Sequence, residues 1–309
     1  MTTAARRWAG QLAAWAIDPA ILAAAPESPY GFPAALWAAH RRAADPARTI
    51  QAARDGLPVG GSVLDVGCGG GAASIPLGDV AGRLVGVDES KQMLESYELA
   101  AAATAVPEVA TVRGTWPAVA PLVETADIVV AANVVYNVPD VVPFVLAAHD
   151  RARHRVVVEL TLAHPQVAIG PLWQHFHAQE RPTGPRLADF ALVLAELGID
   201  PVVWRWERPP YVQTIDPLAY TAWVRRRLCL PYEREPEVAA LLADQPLGPV
   251  PVATVWWDTG SSSLASSGLD RDEHPVVAGL PDRADLGEPG RAQEVHVVPV
   301  RRDGVDLVP

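Results

Sequence analysis

The stretch Ser62–Leu77, SVLDVGCGGGAASIPL, constrains this chain more than any other. Val63, Leu64 and Val66 read as a short buried strand, followed by a turn containing Gly67, Gly69, Gly70 and Gly71. Small residues then predict the start of a helix. Glycines in such a turn let the backbone take positive φ and let a ligand approach closely. A helix N-terminus behind the turn would add unpaired N–H groups and a positive dipole end. Such a turn, at the carboxyl end of a parallel strand, is where an open α/β sheet binds a nucleotide-type cofactor.

Two cofactor classes fit the glycines. Gly67-x-Gly69-x-x-Ala72 matches the dinucleotide pattern, a weak signal when taken alone. Asp88 ends the next strand, RLVGVD, 21 residues beyond Gly67, and suits a ribose in either class. Asp65 discriminates. It stands two residues before the first glycine, where a carboxylate suits a cationic amino group and a sulfonium better than a pyrophosphate. On these residues the sequence resembles the class I S-adenosylmethionine-dependent methyltransferases, whose first motif has the form (V/I)LDxGCGxG. The likeness extends more loosely through GVDES, ADIVVAANVVYNV and RVVVEL, about residues 63–160.

The resemblance implies site roles residue by residue. Asp65 would face the methionine amino end, Gly67, Cys68 and Gly69 would pass close to the methionine and ribose, and Asp88 would accept from both ribose hydroxyls. Met93 or Glu89 would pack near adenine or its ribose. Many relatives carry an Asp after the third strand to accept from the adenine amino group. Here Gly114-Thr115-Trp116 stands instead, so Thr115 would accept and Trp116 stack. After the fourth strand, Asn133-Val134-Val135-Tyr136-Asn137 is similar to the amine-methylating motif (D/N)-P-P-(Y/F) but lacks both prolines. The looser alignment has Asn133 touching the cofactor, with Tyr136 and Asn137 facing the acceptor.

Strands alternating with helices predict a doubly wound, Rossmann-like α/β sheet. The expected strands are 62–66, 83–87, 109–113, 126–132, 155–160, PVVWRWE and PVATVWWDT. The resemblance implies seven strands with the last antiparallel. Residues 1–56 read as an N-terminal helical cap. Trp8, Leu12 and Trp15 fall on one helical face, which favours a docked helix over a secretory signal. Asp18-Pro19 and Asp45-Pro46 each pair an N-cap with proline at N1. Between them lies a stiff aromatic loop, in which Tyr30, Phe32 or Trp37 would line the acceptor mouth. Residues 57–260 form the methyltransferase-like domain, with a helical insertion at 216–244. A serine-rich linker then opens 261–309, a tail expected to be poorly ordered, in which residues 293–300 hold one weak strand signal.

Methyl transfer from a sulfonium needs alignment, exclusion of water and sometimes removal of one proton, so a single catalytic signature is not required. His164 is the candidate base, since imidazole titrates near neutral pH, and Tyr136 the second catalytic candidate. Trp173, His175 and Tyr30 join Tyr136, Asn137 and His164 as acceptor-side candidates, and Glu159 and His177 lie in the same region. His164, His175 and His177 could bind a metal, but no acidic or Cys partner stands at ligand spacing, so no metal is expected.

Composition narrows the rest. The formal net charge is −11, which opposes a dedicated nucleic-acid binder. Arg151/Arg153/Arg155 and Arg225-Arg226-Arg227 read as solvated faces. Cys68 and Cys229 are too few for a disulfide framework, which points to a reduced, cytoplasmic protein. No apolar run is long enough to span a membrane. The expectation is therefore a methyltransferase that uses S-adenosylmethionine on the O- or N-nucleophile of a small molecule. Three alternatives stay open: an RNA- or protein-modifying methyltransferase, an NAD-dependent oxidoreductase (opposed by Asp65 and by the lack of a Tyr-x-x-x-Lys set), and a non-catalytic cofactor-binding protein. The oligomeric state is not legible.

Overall fold

The computed structural model describes residues 2–31, 48–209, 216–244, 248–261 and 295–298. Its centre is a mixed sheet. Strands β1 (Ser62–Val66), β2 (Arg83–Asp88), β3 (Glu108–Arg113), β4 (Ala126–Ala132) and β5 (Ala152–Thr161) are parallel, while β6 (Val202–Arg208) and β7 (Val250–Asp258) complete it. The seven run in the order β3-β2-β1-β4-β5-β7-β6, with β7 antiparallel to both neighbours. This is the expected doubly wound sheet with its last strand reversed. The strand order turns back between β1 and β4, which places a crevice at the carboxyl ends of β1, β2 and β4. An eighth strand, β8 (Val295–Val298), adds antiparallel to β3. It falls within the 293–300 signal; the flanking residues lie outside the described ones.

Alternation along the strands builds two cores. Leu64, Val66, Val129 and Val156 face one side, which is covered by α1 (Thr3–Ala13), α5 (Val141–Arg151) and α7 (Leu187–Glu196). Val63, Leu84, Ile128 and Val130 face the other, against α3 (Arg48–Gly56) and α4 (Lys91–Ala101). Trp8, fully buried, carries α1 into the first core, and its indole N–H donates to the Val138 carbonyl at 2.9 Å. A third cluster is separate. It joins Ile17, Ile21 and Ala25, around α2 (Pro19–Ala24), to α6 (Gly170–His177), α8 (Pro217–Arg227) and α9 (Glu235–Asp244).

Three expectations need correction. No α-helix follows the glycine turn: residues 69–74 are turns, and only a 3-10 segment, Ile75–Leu77, forms. Pro76 lacks an N–H and Gly78 weakens helical backbone, so the chain reaches β2 without propagating a helix. Nor is the arginine run of α8 a solvated face. Arg225 is buried and paired with Glu27 and Glu235, while Arg226 and Arg227 donate to the Gly31 carbonyl. In β5, Arg155 pairs with Asp258 and lies 3.8 Å from the centre of the Trp256 ring. The Asp45-Pro46 cap, Phe32 and Trp37 lie outside the described residues, as does nearly all of the tail. Among the described residues, no helix is long and apolar enough to cross a membrane.

Candidate functional site

The glycine turn is held from two directions. The Cys68 N–H donates to the Val87 carbonyl at 2.9 Å, and the Gly69 N–H donates to Asp88 Oδ2 at 3.0 Å. Gly67 (φ 66°) sits directly under Val134, for a Cβ there would lie 2.6 Å from Val134 Cγ2. The loop after β4 therefore closes on the loop after β1, and only glycine fits between them. Gly69 (φ 49°) is different, because a Cβ there would meet nothing within 4 Å. The turn presents an open backbone face at that position. Asp88 stands beside it, its other oxygen accepting from the Ser90 N–H at 2.9 Å. Burial raises its pKa against the pull of these two N–H groups. Each carboxylate oxygen keeps a second acceptor direction, so the pair Gly69–Asp88 fits a vicinal diol against an open backbone.

Asp65 is placed deeper than its expected role suggests. It is 1% exposed, and its Oδ2 accepts from the Ser74 hydroxyl at 2.6 Å. Ser74 also meets the Tyr97 hydroxyl at 3.0 Å. Burial pushes the Asp65 carboxyl up to about 7, with Ser74 opposing and nearby Asp88 adding. Buried Cys68 and Tyr97 are likewise held protonated. The carboxyl thus buttresses the glycine turn from behind through Ser74, and it sits at the threshold between its two charge states. Ser74 and Tyr97 were not among the expected residues. A polar Ser and Tyr amid small and apolar neighbours were the only signals that could have found them.

On the expected adenine side the residues separate. Glu89 and Thr115 are exposed and Met93 is buried in α4. Trp116 is a core residue, 7% exposed, whose indole N–H donates to the Phe144 carbonyl at 3.2 Å. The ring packs against α5, so any stacking on adenine would use only its small exposed part.

The acceptor side is built around two systems. In the first, Asn133 (φ 59°) donates from its backbone to the Glu159 carbonyl at 2.8 Å and from Nδ2 to Glu159 Oε1 at 3.1 Å. Glu159, buried in β5, also accepts from Thr49 at 2.6 Å and pairs with Arg208 at 3.3 Å. Thr254 and the Trp206 indole extend the network. Arg208, Thr49 and Thr254 lie far apart in sequence, and nothing there announces that they meet.

The second system is a run of rings. Trp8 stacks on Tyr136 (5.6 Å), Tyr136 meets the edge of His164 (5.3 Å), and His164 stacks on Trp15 (4.1 Å). Neither catalytic candidate is free to take a proton here. The Tyr136 hydroxyl donates to the Thr161 carbonyl at 2.6 Å, and burial raises its pKa. His164 Nδ1 accepts from the Gln166 N–H at 3.3 Å, which assigns the ring proton to Nε2. Burial, with Arg181 and Arg227 nearby, pushes its pKa down to about 3. In this arrangement the imidazole is held neutral, which weighs against His164 as a general base.

The other histidines do not converge with it. His175 pairs with Glu237 at 3.1 Å on the surface, whereas His177 meets the Leu228 carbonyl at 2.7 Å. Residues two apart on a helix point to nearly opposite sides, so α6 separates the two. No group of three metal-ligating side chains occurs among the described residues. Trp173 is fully buried in the third cluster, Tyr30 is about half exposed, and Asn137 is exposed. A groove of about 470 Å³ at the sheet edge, lined by Leu187, Leu192, Val203 and Arg205, lies away from all of these residues.

Residues 63–153 match the family model described as a methyltransferase domain, from β1 to the start of β5. No curated protein matches the chain in sequence. Among solved structures, the YcgJ protein from Bacillus subtilis aligns at 17% identity over 68% of this chain and 94% of its own, with a TM-score of 0.47. Magnesium protoporphyrin IX methyltransferase from Synechocystis, solved with bound S-adenosylhomocysteine, aligns at 16% identity over 70% and 83%, with a TM-score of 0.46. An rRNA methylase from Streptococcus thermophilus aligns at 9% identity over 68% and 94%, with a TM-score of 0.39. Likenesses at this level say nothing of the acceptor.

Proposed function

We propose that this chain, an S-adenosylmethionine-dependent methyltransferase of class I, transfers its methyl group to a small-molecule acceptor. The observation that carries the cofactor site is the pairing of the open backbone at Gly69 with the Asp88 carboxylate. Asp88 would hold the ribose hydroxyls and the glycine turn would lie along the methionine, with Asp65 behind the turn adding negative charge whenever it is ionised. Bound S-adenosylmethionine supplies a methyl carbon already activated by the sulfonium. The protein's own task is then to orient the acceptor and exclude water. Neither His164 nor Tyr136 removes the acceptor's proton in this reading. It departs to solvent, or the nucleophile arrives already ionised.

A small acceptor is supported by the arginine run of α8. Those guanidinium groups hold Glu27 and the Gly31 carbonyl of the cap and Glu235 of α9, not a phosphate backbone. The net charge of −11 points the same way. Buried, unbridged Cys68 and Cys229 suit a reducing compartment.

Calorimetric titration tests the cofactor site. Asp88→Ala should weaken S-adenosylmethionine binding by about 1.5–3 kcal/mol, the contribution of a charge-assisted hydrogen bond. Unchanged affinity would remove Asp88 from the site, and binding of NAD in place of the sulfonium would overturn the cofactor. A screen with labelled methyl groups over a metabolite extract and over total RNA tests the acceptor, and label appearing only in RNA would refute the small-molecule reading.

A further inference from the structure

Arg181 lies between α6 and α7 and is held in an unusual way. Its guanidinium is flanked by two indoles, with ring centres 5.3 Å (Trp15) and 4.6 Å (Trp173) away. The terminal nitrogens donate to the backbone carbonyls of Trp15 and Ala16, just beyond the end of α1. Two donors are left over. Arg181 Nε is buried without an acceptor, and so is the indole N–H of fully buried Trp173. None of the ion pairs among the described residues involves Arg181.

Among the described residues, the surroundings supply no compensating charge. The groups that act electrostatically on Arg181 are the Tyr30 phenol and the Cys229 thiol, and burial raises the pKa of both, so they are neutral. His164, which also stacks on Trp15, feels Arg181 and Arg227 but, among the described residues, no carboxylate. A half-buried cation with no counter-charge among the described residues is left to solvent and to aromatic faces for its stabilisation. A planar guanidinium between aromatic faces, with an unused N–H beside it, is suited to a carboxylate. The place fits an acceptor as well. From Arg181 a continuous line of contacts runs through Trp15, His164 and Tyr136. Val134, two residues before Tyr136, is the residue that lies on Gly67.

We propose that Arg181, with Trp173 beside it, forms an anion subsite that binds a carboxylate of the methyl acceptor, so that the acceptor is an organic acid. This rests on the small-molecule reading above and sharpens it. The competing account is that Arg181 only ties down the end of α1.

The full chain is titrated with benzoate and with its neutral isostere benzamide, followed by tryptophan fluorescence, and separately with S-adenosylhomocysteine. Benzoate should bind at least tenfold more tightly than benzamide. Arg181→Lys keeps a charge for the two carbonyls but loses the planar fork. It should reduce that preference at least fivefold and leave S-adenosylhomocysteine affinity unchanged. Equal binding of the two probes, or an intact preference in Arg181→Lys, overturns the subsite and leaves the structural tie as its role. A loss of folding in the variant is recognised by its melting curve. In that event the benzoate-to-benzamide ratio of the unaltered protein decides alone. Failure to bind S-adenosylhomocysteine would count against the methyltransferase reading instead, whatever the probes do.

Discussion

Asp65→Asn should make the cofactor-free protein more stable, by an amount that grows as pH rises from about 4 and levels off above about 7. An aspartate in an unfolded chain loses its proton near 3.8, whereas Asp65 holds its proton up to about 7. Between those values the folded state binds a proton that the unfolded state has given up. Stability must therefore fall as pH rises through the window, by about 1.4 kcal/mol per pH unit. Over the whole interval the loss is about 4 kcal/mol. This sign is the reverse of the usual one for a carboxylate, because burial outweighs the single hydroxyl donor, Ser74. The amide of the variant keeps an oxygen for that hydroxyl and has no charge to desolvate. Urea unfolding of the apo protein, read by tryptophan fluorescence, should show little difference between wild type and variant at pH 4. At pH 8 the variant should be ahead by about 2–4 kcal/mol. A difference that stays constant from pH 4 to pH 8 would refute the reasoning, since it would mean that the buried carboxyl titrates like a free one.

Other consequences follow from the acceptor side. His164 acts with the opposite sign. Its folded pKa is depressed from 6.5 to about 3, so its contribution is complete above 6.5 and is lost as pH falls toward 3, about 2 kcal/mol by pH 5. His164→Phe, which keeps a ring against Trp15, should lose about that much less stability than wild type between pH 7 and pH 5; identical acid profiles would refute this. Glu159→Gln removes the carboxylate from its buried pair with Arg208 and should cost about 3–5 kcal/mol in urea unfolding, whereas a change below 1 kcal/mol would show that the pair is solvated.

The parts of the fold legible in the sequence are those where one local rule decides. Strands β1 to β4 are short apolar runs ended by Gly, Asp or Asn, and the glycines at 67 and 69 occur where backbone must bend and lie open. The helix predicted behind the turn failed because small residues are permissive, while Pro76 and Gly78 are decisive. Trp116 was illegible for another reason. A tryptophan beside a ligand loop and one that plugs a helix–sheet junction look alike until their neighbours are known.

The acceptor side was least legible because its chemistry is assembled across long sequence distances. Glu159 meets Thr49, Asn133 and Arg208 only after α3, β4, β5 and β6 are in place. His164 carried the strongest sequence signal for catalysis, yet its environment withholds the property that made it attractive. A histidine's usefulness as a base lies in a pKa near neutrality, and that value is set by burial and neighbouring charge, which no motif encodes. Arg181 shows the converse. An unremarkable arginine in a linker becomes a candidate recognition residue because two distant tryptophans flank it and, among the described residues, no acid pairs with it. In the proposed reading, the acceptor side would be set by Arg181 and its flanking tryptophans through electrostatics instead of by a catalytic motif. A methyltransferase can work in this way because the sulfonium activates the methyl carbon and departs as a neutral thioether, so what remains for the protein is to choose and hold the acceptor.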